Sequence, residues 1–356
     1  MARIVREVSK INPQINEIQK FISLISEKNH LSEVDSSRVF QIIMSGGATP
    51  AQISAILMGL KINQETVDEI TGAVKALRLK AVKFNIDDDM RTRIVDTCGT
   101  GGDKKGSYNI STTAAFVVAA SGVPVVKHGN KAISSKAGSS DVLTSLGVNV
   151  EASQELYLRS LEEINICFLM APKYHNAMKY VAPVRQELSV RTIFNILGPM
   201  INPAFPIRQV MGVYDRSLVE PIANVLNNLG TEHAFVVHGL DGMDEITIMD
   251  KTFIAEVKDG EVNSFELDPL DYGFEIPEDE NCLKGGDGKF NALALKEVLK
   301  GKEGPYRDIV LLNSAASLYV GGVASNIEEG VEIAKEAIDS RKAYDALMKL
   351  VEITNL

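Results

Sequence analysis

Through the first 85 residues the apolar positions recur at helical spacing, and no strand-like run interrupts them. TPAQISAILMGLKI places Thr49 as an N-cap and Pro50 at the first helical position. TVDEITGAVKALRLKAV begins on Thr66, with acids in its first turn and bases in its last, as the helix dipole favours. This part is expected to form a small helical unit. After Asp87-Asp88-Asp89 the period changes. TRIVD, VPVVK and ICFLMAP read as short strands, separated by the helical patterns STTAAFVVAASG, SSDVLTSLG and SQELYLRSLEEIN. That alternation predicts right-handed βαβ units and a buried parallel sheet. RQVMGVYD, AFVVHG and EITIMD add three predicted strands, with the helix SLVEPIANVLNNLG between the first two. TFIAEV and GEVNSFEL flank Asp259-Gly260 as a predicted β-hairpin, and the chain turns helical again from FNALALKEVL to NIEEGVEIAKEAI. The fold class is α/β, with a helical domain over residues 1–85 and a large α/β domain over residues 86–356.

Composition narrows the function. The formal charge is −10, and no window gathers the like charges of a basic tail or an acidic arm, which argues against nucleic acid as the main partner. Cys98, Cys167 and Cys282 have neither disulfide-framework nor zinc-knuckle spacing, so a reducing cytoplasm is expected. No run approaches the length of a membrane span, and the N-terminus does not read as a signal peptide.

Three polar loops fall at predicted strand ends, where an open parallel sheet binds ligands. The first, DTCGTGGDKKGSYNIST, fits neither the P-loop spacing nor the dinucleotide fingerprint. It is a glycine turn that can bring backbone N–H groups to an anion at a helix N-terminus, or simply a surface turn with an N-cap. The second, KHGNKAISSKAGSSD, sets Lys127 at a strand end ahead of several serines suited to phosphate. The third, HGLDGMDEIT, carries Asp244 and Glu245, an adjacent carboxylate pair of the kind that holds Mg²⁺. Between them, Arg185 and Arg191 are candidate forks for a carboxylate. His233 and His238 read as core or edge residues, and Cys98 lacks a basic partner that would make it a nucleophile.

The ordered set GTGGD (99–103), NIST (109–112), KHGN (127–130), RTIFNILGP (191–199) and Asp244-Glu245 resembles the anthranilate phosphoribosyltransferase family from about Ile22 to the C-terminus. The resemblance implies transfer of 5-phosphoribose from 5-phosphoribosyl diphosphate to the amine of anthranilate, in tryptophan biosynthesis. It also implies a nucleoside phosphorylase/phosphoribosyltransferase-like fold: a small helical domain, joined by helices returning from about 173–200, hinged to a large domain with a mainly parallel central sheet flanked by helices. A cytoplasmic homodimer is expected.

Carried over position by position, Gly99, Gly102, Asp103, Ser107, Asn109, Ile110, Ser111 and Thr112 would hold the sugar diphosphate. So would the second loop through Lys127, His128, Gly129, Asn130, Lys131, Ala132, Ile133, Ser134, Ser135 and Ser139. Ser111, Asp244 and Glu245 would hold Mg²⁺, two ions being typical of the family, and Gly99, Asn130, His175, Arg185 and Pro199 would contact anthranilate. Catalysis would be electrostatic, through Lys127 and Asp103, with no covalent intermediate. Lys131, Ser140 and Asn176 stand where the family usually has Arg, Ala and Pro. Two other readings stay open: a pyrimidine nucleoside phosphorylase-like enzyme, and a non-catalytic relative that binds nucleic acid.

Overall fold

The computed structural model describes residues 13–131 and 136–356, with side chains from Glu17 onward. The chain forms two compact units, Met1–Val82 with Pro172–Pro203 and Lys83–Ala171 with Ala204–Leu356.

The first unit is built on helices Pro13–Ser26, Glu33–Met44, Pro50–Asn63 and Val67–Lys80. Thr49 and Thr66 cap their helices through reciprocal boxes with Gln52 and Glu69, which explains why both starts are legible. Glu69 is buried and does more than cap: its Oε1 also accepts the Leu31 N–H at 2.9 Å. Several contacts join the later segment to this unit. The Val82 N–H donates to Tyr174 O at 2.8 Å, Arg78 Nε donates to Met200 O at 2.8 Å, and Phe40 meets the edge of Phe194 at 5.7 Å.

Among its described residues the second unit holds seven strands: β1 Val95–Gly99, β2 Val125–Gly129, β3 Ile166–Met170, β4 Arg208–Gly212, β5 His233–Gly239, β6 Thr252–Lys258 and β7 Glu261–Leu267. Their order is β3-β2-β1-β4-β5-β6-β7. The first five in that order are parallel, and β6 and β7 pair antiparallel at one edge. The β6–β7 turn is the expected Asp259-Gly260, both with positive φ (53° and 83°), as the two-residue hairpin turn demands. Helix Ile110–Ala120 packs on β1, β2 and β3, and helix Pro305–Val320 covers β4 and β5. Val95, Phe116, Phe168, Val210 and Phe235 are among the core residues between these layers.

Two expectations are corrected. TRIVD is a strand only from Val95; Asp88–Arg93 is a helical turn, because Asp87 caps it and Arg91 and Arg93 pair with Asp88 and Asp89, each at 3.0 Å. EITIMD is no strand. Ile246 and Ile248 are buried, but the backbone loops between β5 and β6. Side chains satisfy it there: the Thr247 N–H donates to Thr252 Oγ1 at 3.0 Å and the Ile246 N–H to Asn313 Oδ1 at 3.1 Å. No described helix is long and apolar enough to cross a membrane.

Candidate active site

From β1 the chain moves outward through β2 to β3 and then returns to place β4 on the other side of β1. Strand order therefore reverses between β1 and β4, and the crevice above their C-terminal ends is where such sheets bind ligands. The glycine loop leaves β1 at this point. The second polar loop leaves β2 beside it, and the loop carrying Asp244 and Glu245 follows β5.

Short hydrogen bonds join the three loops. The Gly101 N–H donates to Asp244 Oδ2 at 2.7 Å, and the Ser111 N–H donates to Glu245 Oε1 at 3.3 Å. Lys127 reaches across from β2, donating to Thr97 O at 2.5 Å and to Ser111 Oγ at 3.2 Å. A carboxylate therefore sits at the N-terminus of helix Ile110–Ala120, the position an anion favours. The electrostatics are under stress. Burial, and then the Asp103 charge, push the Asp244 carboxyl up to about 7; burial and then Asp244 hold Glu245 well above the usual carboxylate range. Burial lowers the Lys127 ammonium, opposed by Asp96, Cys98 and Glu245.

These residues fit a divalent cation. Asp103 Oδ2 is buried with no N–H or hydroxyl donor, its Oδ1 taking the Lys105 N–H at 3.1 Å, and it faces the Asp244 carboxyl closely enough to raise it. A cation would relieve that repulsion and supply the missing partner. Among the described residues no three His, Cys, Asp or Glu side chains form a complete cage. The remaining ligands would then be water and a bound anion's oxygens, the usual habit of Mg²⁺.

Asn109, at the N-cap position, makes no capping bond. Its Oδ1 instead accepts from Asn291 Nδ2 at 2.8 Å, and its Nδ2 donates to Ala137 O at 3.3 Å, in the second loop. The sequence reading missed Asn291 and the segment before it. There Ser107 bridges Lys284, the Tyr108 N–H donates to Leu283 O at 3.0 Å, and the Gly285 N–H donates to Gly106 O at 2.8 Å. A Cβ on Gly285 would lie 2.6 Å from Ser107 O, so this close approach needs glycine. The glycine doublet of KGGDG was the available signal. Tyr108 is held further by a stack of rings, 4.2 Å from Tyr306 and 6.0 Å from Phe290.

The other expected contacts divide. Gly102 and Ser107 lie on the loop, whereas Ile110 and Thr112 turn their side chains into the core, and the Ile110 N–H is spent on Tyr108 O at 3.0 Å. His128, Gly129, Asn130 and Lys131 run out from the end of β2, and Ser139 Oγ occupies the space a Cβ on Gly129 would fill. Ala132, Ile133, Ser134 and Ser135 lie outside the described residues. Of the expected anthranilate contacts, Gly99 and Asn130 belong to the α/β unit and His175, Arg185 and Pro199 to the helical unit. Arg185 is half-buried with its guanidinium 5.4 Å from the Phe194 ring centroid, and burial lowers its pKa. His175 is buried, with Met44, Leu77, Lys80 and Met178 also lining the small cavity beside it, and burial drops its pKa to about 4, so it is neutral at pH 7. Cys98 is also buried and its thiol is pushed well up, mainly by desolvation, which leaves it protonated and inert. His233 and His238 are buried beside Glu256 and Val213 O, as core residues.

The chain is similar to known proteins over most of its length. Residues 19–81 match the helical bundle domain of a glycosyl transferase family, and residues 91–344 match the a/b domain of a glycosyl transferase family. The anthranilate phosphoribosyltransferase of Paramagnetospirillum magneticum is 53% identical over 327 residues, 91% of this chain and 92% of that protein. The crystal structure of the Thermus thermophilus anthranilate phosphoribosyltransferase superimposes with a TM-score of 0.88 at 37% identity, covering 94% of this chain and 99% of that one. The Saccharomyces cerevisiae enzyme in complex with PRPP and Mg gives 0.85 at 26% identity, covering 95% and 98%.

Proposed function

The chain belongs to the anthranilate phosphoribosyltransferase family, and we propose that its three joined loops hold the Mg²⁺-bound sugar diphosphate while Arg185 receives the anthranilate carboxylate. The reaction is transfer of the 5-phosphoribosyl group from 5-phosphoribosyl diphosphate to the amine of anthranilate, releasing diphosphate, in tryptophan biosynthesis. The observation that carries the site assignment is the meeting of Lys127, Ser111, Glu245, Asp244 and Gly101 through bonds of 2.5–3.3 Å at the β1/β4 switch point.

As the bond from ribose C1 to diphosphate breaks, positive charge builds on the sugar and negative charge on the leaving group. Mg²⁺, two ions held through Ser111, Asp244 and Glu245, would neutralise the diphosphate and make it a better leaving group. Lys127 is fixed and desolvated beside Ser111, so its charge acts without reorganising. Asp103, whose Oδ2 has no N–H or hydroxyl donor, would favour the cations and the developing positive sugar. Anthranilate's amine already has a free lone pair, so placement matters more than a base. The neutral His175 can offer that substrate a contact surface, while Arg185 carries the positive charge.

The comparisons support neither the nucleoside phosphorylase reading nor the nucleic-acid-binding one. A cytoplasmic homodimer remains part of the proposal, with Val34, Ile62 and Leu79 of the helical unit, 71–76% exposed, as candidate contacts. The test is to mix protein, Mg²⁺, 5-phosphoribosyl diphosphate and anthranilate and follow anthranilate fluorescence. Loss that requires every component is expected. No loss, together with Mg²⁺-independent phosphorolysis of a pyrimidine nucleoside, would replace the assignment with the phosphorylase.

A further inference from the structure

Asn291 is 1% exposed, lies on helix Gly288–Leu299, and is 182 residues from the glycine-loop residue it touches. Its amide can face only one way. The Gly286 N–H, which can only donate, points at Asn291 Oδ1 at 2.7 Å, so Nδ2 faces Asn109. That fixes Asn109 in turn: its Oδ1 accepts from Asn291 at 2.8 Å, and its Nδ2 faces Ala137 O at 3.3 Å, which can only accept. The result is a one-directional chain from Gly286 through Asn291 and Asn109 to Ala137. It ties the glycine loop to the loop that follows β2. The Lys284 bridge to Ser107 and the stack of Tyr108 on Phe290 bind the same stretch to the start of the same helix.

We infer that Asn291 is a positioning residue for sugar diphosphate binding: it sets the orientation of the Asn109 amide and the spacing of the two phosphate-facing loops without touching the substrate. This rests on the assignment of those loops to the sugar diphosphate. Preorganisation of this kind lowers the ordering cost of binding, so its loss should fall far more on the sugar diphosphate than on anthranilate, which would meet these loops only at Gly99 and Asn130.

Asn291→Asp keeps the acceptor for Gly286 and the side-chain shape but turns the donor facing Asn109 into an acceptor. Asn291→Ser is too short to reach Asn109. In either variant the KM for 5-phosphoribosyl diphosphate should rise about tenfold, the worth of one buried hydrogen bond, while kcat and the KM for anthranilate change less than about twofold. Melting curves establish which variants are folded. In the unmodified protein, hydrogen exchange of the Gly286 amide should slow when 5-phosphoribosyl diphosphate binds, which keeps the idea testable if neither variant folds. Unchanged KM in a folded variant, an equal loss in every kinetic constant, or an unresponsive Gly286 amide would overturn it. Failure of the unmodified protein to turn over would instead defeat the assigned reaction, so the two outcomes are separable.

Discussion

The main chain of Asp244 crosses β4 where Gly212 has no side chain. A Cβ on Gly212 would overlap the Asp244 carbonyl, and one on its strand partner Gly99 would lie 2.6 Å from the Asp244 carboxylate. The two glycines clear the seat of the acidic loop. Gly212→Ala is expected to destabilise the protein by about 1–3 kcal/mol through overpacking and to weaken Mg²⁺-dependent turnover. Denaturant melts and a Mg²⁺ titration of activity check both effects; full activity at ordinary Mg²⁺ would show that the seat tolerates displacement.

Asp244→Asn separates stability from function. The amide oxygen can still accept the Gly101 N–H, and its NH2 can face Asp103. With a folded pKa of about 7 against an unfolded value near 3.8, the carboxylate's penalty is absent below about pH 3.8 and complete above about pH 7. At pH 8 without metal the variant should be more stable than the unmodified protein, yet lose about a hundredfold or more in turnover. Paired melting and rate measurements in chelator and in Mg²⁺ decide this.

For Arg185 the informative change is Lys. Lysine keeps the charge but loses the planar fork and the stacking over Phe194. The KM for anthranilate should rise about tenfold or more with that for the sugar diphosphate unaltered, and an equal rise in both would exclude a carboxylate clamp.

His175 gives the helical unit an acid-labile point. Its folded pKa of about 4 lies below the ordinary 6.5, so below pH 6.5 the unfolded chain takes up a proton that the buried ring refuses. This contribution is fully present above about pH 6.5 and falls away by up to about 3 kcal/mol as pH drops to 4. Stability of the protein and of His175→Gln should therefore converge on acidification, measured by denaturant melts from pH 7 to 4.

Ser140 is fully buried and its hydroxyl has no hydrogen-bond partner. Ser140→Ala should leave stability unchanged or raise it by about 1 kcal/mol, with activity retained. A clear loss of melting temperature would mean that the hydroxyl is satisfied in solution.

Legibility in the sequence followed the range of the interactions. Thr49, Thr66 and Asp259-Gly260 act on residues within a turn of themselves, so composition alone reveals them. The alternation of EITIMD misled because Ile246 and Ile248 are buried in a loop whose backbone N–H groups are taken by the side chains of Thr252 and Asn313, not by the backbone of a neighbouring strand. The glycine loop, Lys127 and the Asp244-Glu245 pair could be singled out by residue type. That Glu245 rather than Asn109 faces the first turn of helix Ile110–Ala120 could not, because that pairing spans 134 residues. Gly212 within RQVMGVYD did carry a hint, since glycine inside a strand often marks a close backbone approach. Asn291 had only the preceding glycine doublet to distinguish it.

The rings of Tyr306, Tyr108 and Phe290 stand nearly parallel, at 16° and 8°, from the core to a half-exposed surface. The chain contains no tryptophan, so no indole obscures the ultraviolet signal of these chromophores. Tyr108 immediately precedes Asn109 in the glycine loop. Within the signal of the nine tyrosines, near-ultraviolet circular dichroism therefore carries a contribution from this stack that responds to loop order without a label.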